Sequence, residues 1–106
     1  MPHTGPALTL DAYDRDAGAV TDEVLVAAQT GKRIAVYQLY VTALQATLVT
    51  FESGATELHS QYAGAGGGSV LPYTGIPWFI CGAGEALTYT TDAAGGCAVR
   101  VKAAAV

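Results

Sequence analysis

The side chains that could act as a catalytic nucleophile and its base are few in this chain. Its serines are Ser53, Ser60 and Ser69, and its histidines are His3 and His59. A serine nucleophile needs a base within reach and a third group that orients the base. None of these serines lies in a Gly-x-Ser-x-Gly turn. We therefore interpret His59 as a polar residue on a hairpin strand, and the sequence predicts that the protein is not an enzyme.

Acidic side chains are grouped at two places. Glu52 and Glu57 flank one predicted turn, where paired carboxylates can share acid–base work, but two acids at a hairpin end are more typical of a solvated loop. Asp11, Asp14 and Asp16 resemble the start of a calcium-binding loop. An EF-hand loop that began at Asp14 would have glycine and leucine at later positions that require oxygen ligands, so the spacing does not fit. The sequence therefore predicts no metal site.

The glycines and cysteines also fail the spacing that cofactor sites require. The run 64–69 lacks the Gly-Lys-Ser/Thr ending of a phosphate loop, and no helix is predicted after it. Cys81 and Cys97 are too few and too isolated for zinc. Because the N-terminus lacks the basic and apolar regions of a signal peptide, we expect folding in a cytoplasm, where two buried thiols are more common than a disulfide. No cofactor is predicted.

The composition favours a protein that is covered by partners. Of 106 residues, 51% are hydrophobic and 13% are charged, whereas ordinary soluble domains are about 25% charged. Between Leu58 and Val99 the only charged residues are Glu85 and Asp92. The net charge is −4 and the five basic residues are scattered, which argues against nucleic acid and an anionic membrane surface as partners. No apolar run is long enough for a transmembrane helix. We expect a homo-oligomer.

The elements that would position these side chains are β-strands. From Val20 onward, short apolar segments with a two-residue period alternate with turn residues. The pattern predicts an all-β fold, an antiparallel, jelly-roll-like β-sandwich of about eight short strands. We divide the chain into an extended N-terminal arm, residues 1–19, and a sandwich domain, residues 20–106. Within the arm, residues 8–10 suggest one short strand and Asp11–Gly18 is predicted to be a loop.

Several strands carry more detailed predictions. The long segment Lys32–Leu44 changes parity along its length, and a bulge near Tyr37–Gln38 would keep both halves facing the core. Its β-branched and aromatic residues favour a strand over a helix. Val24, Val26 and Ala28 are predicted to share one face of their strand, and Leu87 and Tyr89 one face of theirs. Val49 and Phe51 are predicted to face inward, and Cys97, Val99, Val101 and Ala103 alternate with more polar or smaller residues in the last strand.

The order of these features resembles that of a known family. It runs from Gly31–Val36 through Leu48–Gly54 and a glycine-rich link to Trp78–Phe79, then Gly84–Thr88 and a final strand. This order resembles small tailed-bacteriophage virion proteins of the β-sandwich or jelly-roll kind that act as capsid decoration, or cement, proteins. Pro77 stands where the family pattern has glycine. The resemblance implies trimers on the capsid surface, made in the host bacterial cytoplasm, with the major capsid protein as partner and the arm reaching over neighbouring shell subunits.

The residues that we predict to form interfaces follow from this interpretation. Leu8, Leu10 and Tyr13 of the arm are candidates for contact with the shell, Lys32 and Arg33 for pairing with acids on a neighbour, and Trp78 and Phe79 for the core, a subunit interface or ligand stacking. A carbohydrate-binding or receptor-binding fibre-tip module is an alternative, in which Trp78 stacks on a sugar beside Tyr73 or Tyr62. A tail or neck component is a further alternative.

Overall fold

The chain folds as two antiparallel β-sheets in a computed structural model. The structure describes residues 8–16, 18–92 and 96–106, with the side chain of Asp16 left aside. Residues 1–7 of the predicted arm lie outside the described residues. The nine strands of the described part are β1 (Leu10–Asp16), β2 (Glu23–Val26), β3 (Ile34–Ala43), β4 (Thr47–Ser53), β5 (Thr56–Ala63), β6 (Gly68–Leu71), β7 (Phe79–Ile80), β8 (Leu87–Thr91) and β9 (Cys97–Ala105).

The strand pairs are nested, which makes the fold a jelly roll. Strand β4 pairs with β5, β3 with β6, β2 with β8 and β1 with β9, all antiparallel. The first and last strands are thus partners, like the two halves of one long hairpin that has rolled up. One sheet has the order β1-β9-β3-β6, with the short β7 also on β3, and the other has the order β2-β8-β4-β5. The predicted all-β, jelly-roll-like sandwich is confirmed.

The core lies between the sheets and follows the predicted alternation. Val49, Phe51, Leu87 and Tyr89 are fully buried, and the alternate residues of β9 from Cys97 to Ala103 face the same core. Burying each such valine, leucine or phenylalanine side chain contributes about 1.5–3 kcal/mol to folding. Cys81 and Cys97 are both buried, as expected for thiols that pack as small apolar groups.

Strand β3 contains the predicted bulge. Its register against β9 shifts between Val36 and Gln38, so that Val36 and Leu39 both face the core with no exposed surface. One extra residue in a strand has this effect because side chains otherwise alternate strictly between faces. Tyr37 is left on the outer side of the sheet, where it packs against Ala35 and Ala104. The described residues form no helix that could serve as a membrane span.

Two local predictions were wrong. Residues 11–16 are not a loop, because they continue β1 in unbroken register with β9. The inward positions of β1 include Ala12, and Asp14 is held there because its Oδ2 accepts a hydrogen bond of 2.8 Å from the Tyr89 hydroxyl. In β2, Val24 and Val26 do not share a face. The register shifts between them, and Val24 is 56% exposed while Leu25 and Val26 are buried.

Candidate functional site

A row of aromatic, basic and apolar side chains crosses the outer face of the five-stranded sheet. Tyr13 of β1 is the register partner of Arg100, Arg100 is also the partner of Tyr40, and Tyr40 is the partner of Val70. Cross-strand partners share a face of the sheet, so these four residues, which we call the outer row, extend over roughly 14 Å. Tyr13 is 62% and Val70 is 54% exposed, and the row therefore presents rings and apolar surface to solvent.

One ion pair organises the charge beside the outer row. The Arg100 Nε and Nη2 donate to the two carboxylate oxygens of Asp11 at 3.3 and 3.1 Å. The hydrogen bond from Arg100 lowers the pKa of Asp11, and the nearby charge of Lys102 lowers it further. Because both partners are largely exposed, the pair adds little stability. Its effect is to tie the Arg100 side chain of β9 to Asp11 of the neighbouring β1.

A cavity lies at the end of the outer row. Its volume is ≈720 Å³, and its walls include Tyr13, Arg15, Thr42 and Ala98 from the sheet and Leu44 from the adjoining loop. Leu44 is 71% exposed. The walls are mostly apolar with one guanidinium, a lining that suits an apolar or aromatic group carrying a negative charge more than a polar sugar alone.

Trp78 and Phe79 lie on opposite sides of the sheet edge. Phe79 packs against the core, with its ring centroid 6.0 Å from that of Phe51 and 5.4 Å from that of His59. Trp78 is 44% exposed, and its Nε1 donates to Pro72 O at 2.8 Å. A core position for Trp78 is therefore wrong, while an interface or a stacking role stays a prediction. Tyr73, which precedes it in the same loop, packs against Tyr37 with the rings tilted and their centroids 5.7 Å apart.

The other predicted interface residues differ in how much of their side chains is exposed. Leu8 packs against the Ala35–Tyr37–Ala104 cluster of the outer face, and Leu10 packs against the main core. Of these three arm residues, Tyr13 is exposed and the other two are partly buried. Lys32 is exposed. Arg33 is exposed too, and its Nε donates to Cys81 O at 3.0 Å. Their contacts with another protein stay predictions.

The two acids at the β4–β5 hairpin differ in how exposed they are. Glu57 is exposed, whereas its register partner Glu52 is only 6% exposed. Both Glu52 oxygens accept from the Thr90 hydroxyl at 3.1 Å, and Oε1 also accepts from Thr88 at 3.1 Å. Burial, followed by a hydrogen bond with Asp22, raises the pKa of Glu52. A carboxyl held by two threonines in this way is tied to the sheet.

Ser53 is likewise bound into the structure. Its Oγ donates to Glu85 Oε1 at 2.5 Å and accepts from the Gly82 N–H at 2.8 Å. His59, the candidate base, has its Nε2 3.1 Å from Gln61 Oε1. Burial raises the pKa of the neighbouring Cys81 thiol. The described part of the chain brings no three or more of its histidine, cysteine, aspartate and glutamate side chains together in a metal-binding group.

Sequence reasoning found Tyr13 and missed the rest of the outer row. Tyr40, Val70 and Arg100 are distant in sequence and belong together only through strand register. Their alternation marks each as an outward residue, but no local signal says which outward residues are neighbours.

Comparison of the chain with protein-family models, with curated proteins and with solved structures finds no match.

Proposed function

We propose that this protein is a structural virion protein, a capsid decoration or cement protein that binds the outer surface of a phage head as a symmetric oligomer. The observation that carries the proposal is the outer row with the exposed Trp78 beside the same sheet. Aromatic side chains and arginine are the residue types enriched where proteins bind one another. The major capsid protein is the proposed partner, and the capsid surface is the proposed location.

The fold supports this proposal by analogy. Double-sheet jelly rolls occur in viral capsid proteins and in lectins, although a fold by itself does not determine a function. The phage decoration proteins that the sequence resembles have a purely structural role. The few charges of the second half of the chain suit a surface that other subunits cover.

Co-sedimentation with phage heads tests the proposal. Heads are purified from the encoding phage after deletion of the gene for this protein, and the protein is added back. We expect saturable binding and a higher temperature of head disruption, since many added contacts stabilise the shell. Tails from the same lysate serve as the control for a tail or neck role. Binding to tails alone, or to neither particle, would contradict the proposal.

A glycan-binding module is a second candidate because of the geometry of Trp78. The indole is exposed, and its Nε1 bond to Pro72 O fixes the ring in one orientation. A fixed aromatic face is what a sugar ring stacks upon. Tyr73 shares the loop, and its ring packs against that of Tyr37 on the outer face. Tyr62 is paired with Leu48 on the other sheet, and both side chains are exposed, so it belongs to a different surface.

A glycan array separates the two candidates. If Trp78 is a stacking platform, the protein binds a defined set of glycans, and Trp78→Ala abolishes the signal while Tyr62→Ala preserves it. If the array is silent for the unchanged protein, the glycan candidate is excluded and the capsid proposal is unaffected.

A further inference from the structure

The outer edge of β1 is a long, regular sheet edge. β1 lies at the end of the sheet order, with β9 on one side, and all seven of its residues pair with β9 without a shift. Natural edge strands are usually protected by shortness, bulges, proline or charged side chains, and the protection that β1 carries is charge, with three aspartates and one arginine among its seven residues. Residues 10–16 contain no proline, and their pairing contains no bulge. An edge of this kind can accept a further strand through backbone hydrogen bonds.

The hydrogen-bond pattern of the sheet identifies the outward groups. Arg33 and Val106 exchange both backbone hydrogen bonds at 2.8 Å. Beyond the bulge of β3, Leu44 N donates to Gly96 O. Bonded pairs recur every second residue, so the even residues of β9 bond to β3 and its odd residues bond to β1. In β1 the partners of those odd residues are even-numbered. Asp11, Tyr13 and Arg15 therefore direct their N–H and C=O groups away from β9, toward the open edge of the sheet.

A side-chain bond supports this assignment. The N–H of Arg15 donates to the Asp14 Oδ1 at 3.0 Å, which is a local substitute for a strand partner. Among the described residues, none forms an ion pair or a hydrogen bond with the Arg15 guanidinium. Arg15 is exposed and shares the outer face with Asp11 and Tyr13, because side chains two residues apart lie on one face.

Among the registers that pair these backbone groups, the charges favour the one that places an acid opposite a base. Antiparallel pairing centred on Tyr13 places Asp11 of each copy opposite Arg15 of the other. In this register the backbone N–H and C=O groups of Asp11, Tyr13 and Arg15 all form hydrogen-bonded pairs with the second copy. Pairing centred on Asp11 would oppose two carboxylates, and pairing centred on Arg15 would oppose two guanidiniums, both of which are unfavourable.

We propose that two copies of this protein associate through β1, antiparallel and two-fold symmetric about Tyr13. The two five-stranded sheets join into one, and the Asp11–Arg15 pairs extend the ion pair that Arg100 already makes with Asp11. The two outer rows meet at their Tyr13 ends, so that the aromatic face becomes continuous across the dimer. The contact is isologous, since each copy uses the same residues.

This inference does not rest on the capsid role. It needs only the edge, the outward amides and the two charges. It also differs from the trimer that the family resemblance implies, because two-fold pairing of a single edge closes at two copies. Solution mass therefore distinguishes the two arrangements whether or not the protein binds phage heads.

Charge exchange between two variants tests the register. Arg15→Glu opposes two acids at each pair, and Asp11→Lys opposes two bases, so each variant alone should dissociate with a dissociation constant raised about tenfold or more. An equimolar mixture of the two restores opposite charges at both pairs and should dimerise again. Glu57→Lys, with the same charge change as Asp11→Lys but at the exposed β4–β5 hairpin of the other sheet, should dimerise like the unchanged protein.

Sedimentation equilibrium supplies the measurement, and thermal unfolding of each variant shows that it is folded. A monomer at millimolar concentration, or a trimer, would overturn the proposal for the unchanged protein. Dimers that withstand both single variants would overturn it as well. A mixture that stays monomeric would show that the Asp11–Arg15 register is wrong.

Discussion

Glu52 is a carboxyl group placed where ionisation is costly. Its strand alternates, so the residue after the buried Phe51 is expected on the solvent side. The structure places it there, on the outer side of its sheet, yet neighbouring side chains of β8 and Asp22 cover it. Thr88 and Thr90 supply hydroxyls to its oxygens. The cover depends on strand register and on Asp22 from the β1–β2 connection, which is why the sequence did not reveal it.

Glu52 should make stability fall as the pH rises. Burial raises the pKa of this carboxyl in the folded state, so the folded protein holds the proton more tightly than the unfolded chain does. The free energy of unfolding then has its full value below the unfolded pKa and decreases as the pH rises through the folded pKa.

Glu52→Gln removes that titration and keeps an oxygen for the threonine hydroxyls. We expect the variant to lose the decrease in stability between about pH 4.5 and neutrality that Glu52 causes. Urea unfolding across this range, with Glu57→Gln as the matched exposed control, measures the difference. A variant whose pH profile matches that of the unchanged protein would mean that Glu52 is ionised normally in the fold.

The strands differ in how far their sequences predicted them. In β3 the apolar residues change parity, and only a bulge can keep Val36 and Leu39 on one face, so the irregularity was readable. In β1 the inward position 14 is an aspartate, which made the segment resemble a loop. The carboxylate of this aspartate accepts a hydrogen bond from the Tyr89 hydroxyl, which comes from the opposite sheet. Contacts across the sandwich of this kind leave no local signal.

Gly68 lies where β6 passes close to the backbone of β3. A Cβ at this residue would collide with Val41 O and lie 3.1 Å from the Thr42 methyl group. Gly68→Ala should therefore lower the free energy of unfolding by about 1–3 kcal/mol, since the backbone oxygen can move only with its strand.

Gly64→Ala is the matched control in the same connection. Nothing lies within 4 Å of a Cβ added there, so the substitution should be neutral or stabilise by up to about 1 kcal/mol. In a domain of this size a loss of 1 kcal/mol lowers Tm by about 4–8 °C, which differential scanning calorimetry resolves. Equal Tm values for the two variants would contradict the close approach of β6.

The two edges of the five-stranded sheet differ. The outer side of β3 is occupied along its length by β6 and β7, whereas the far end of the same sheet is the regular edge of β1. The outer row joins these two ends across one face. Our two proposals therefore concern different parts of the molecule, the edge of β1 for a second copy and the outer row for a different protein. Low charge alone, the sequence's main indication, predicted covered surface without saying where.

Edge and face should therefore fail independently when each is altered. Tyr40→Ala removes a ring of the outer row on β3, which β9 separates from β1, and should weaken binding to decoration-free heads by about tenfold or more. Its sedimentation should still report a dimer. Tyr62→Ala, which deletes an equally large exposed ring on the other sheet, should change neither property. If Tyr40→Ala abolishes dimerisation, or if Tyr62→Ala weakens head binding as much as Tyr40→Ala does, then the proposed division between edge and face is wrong.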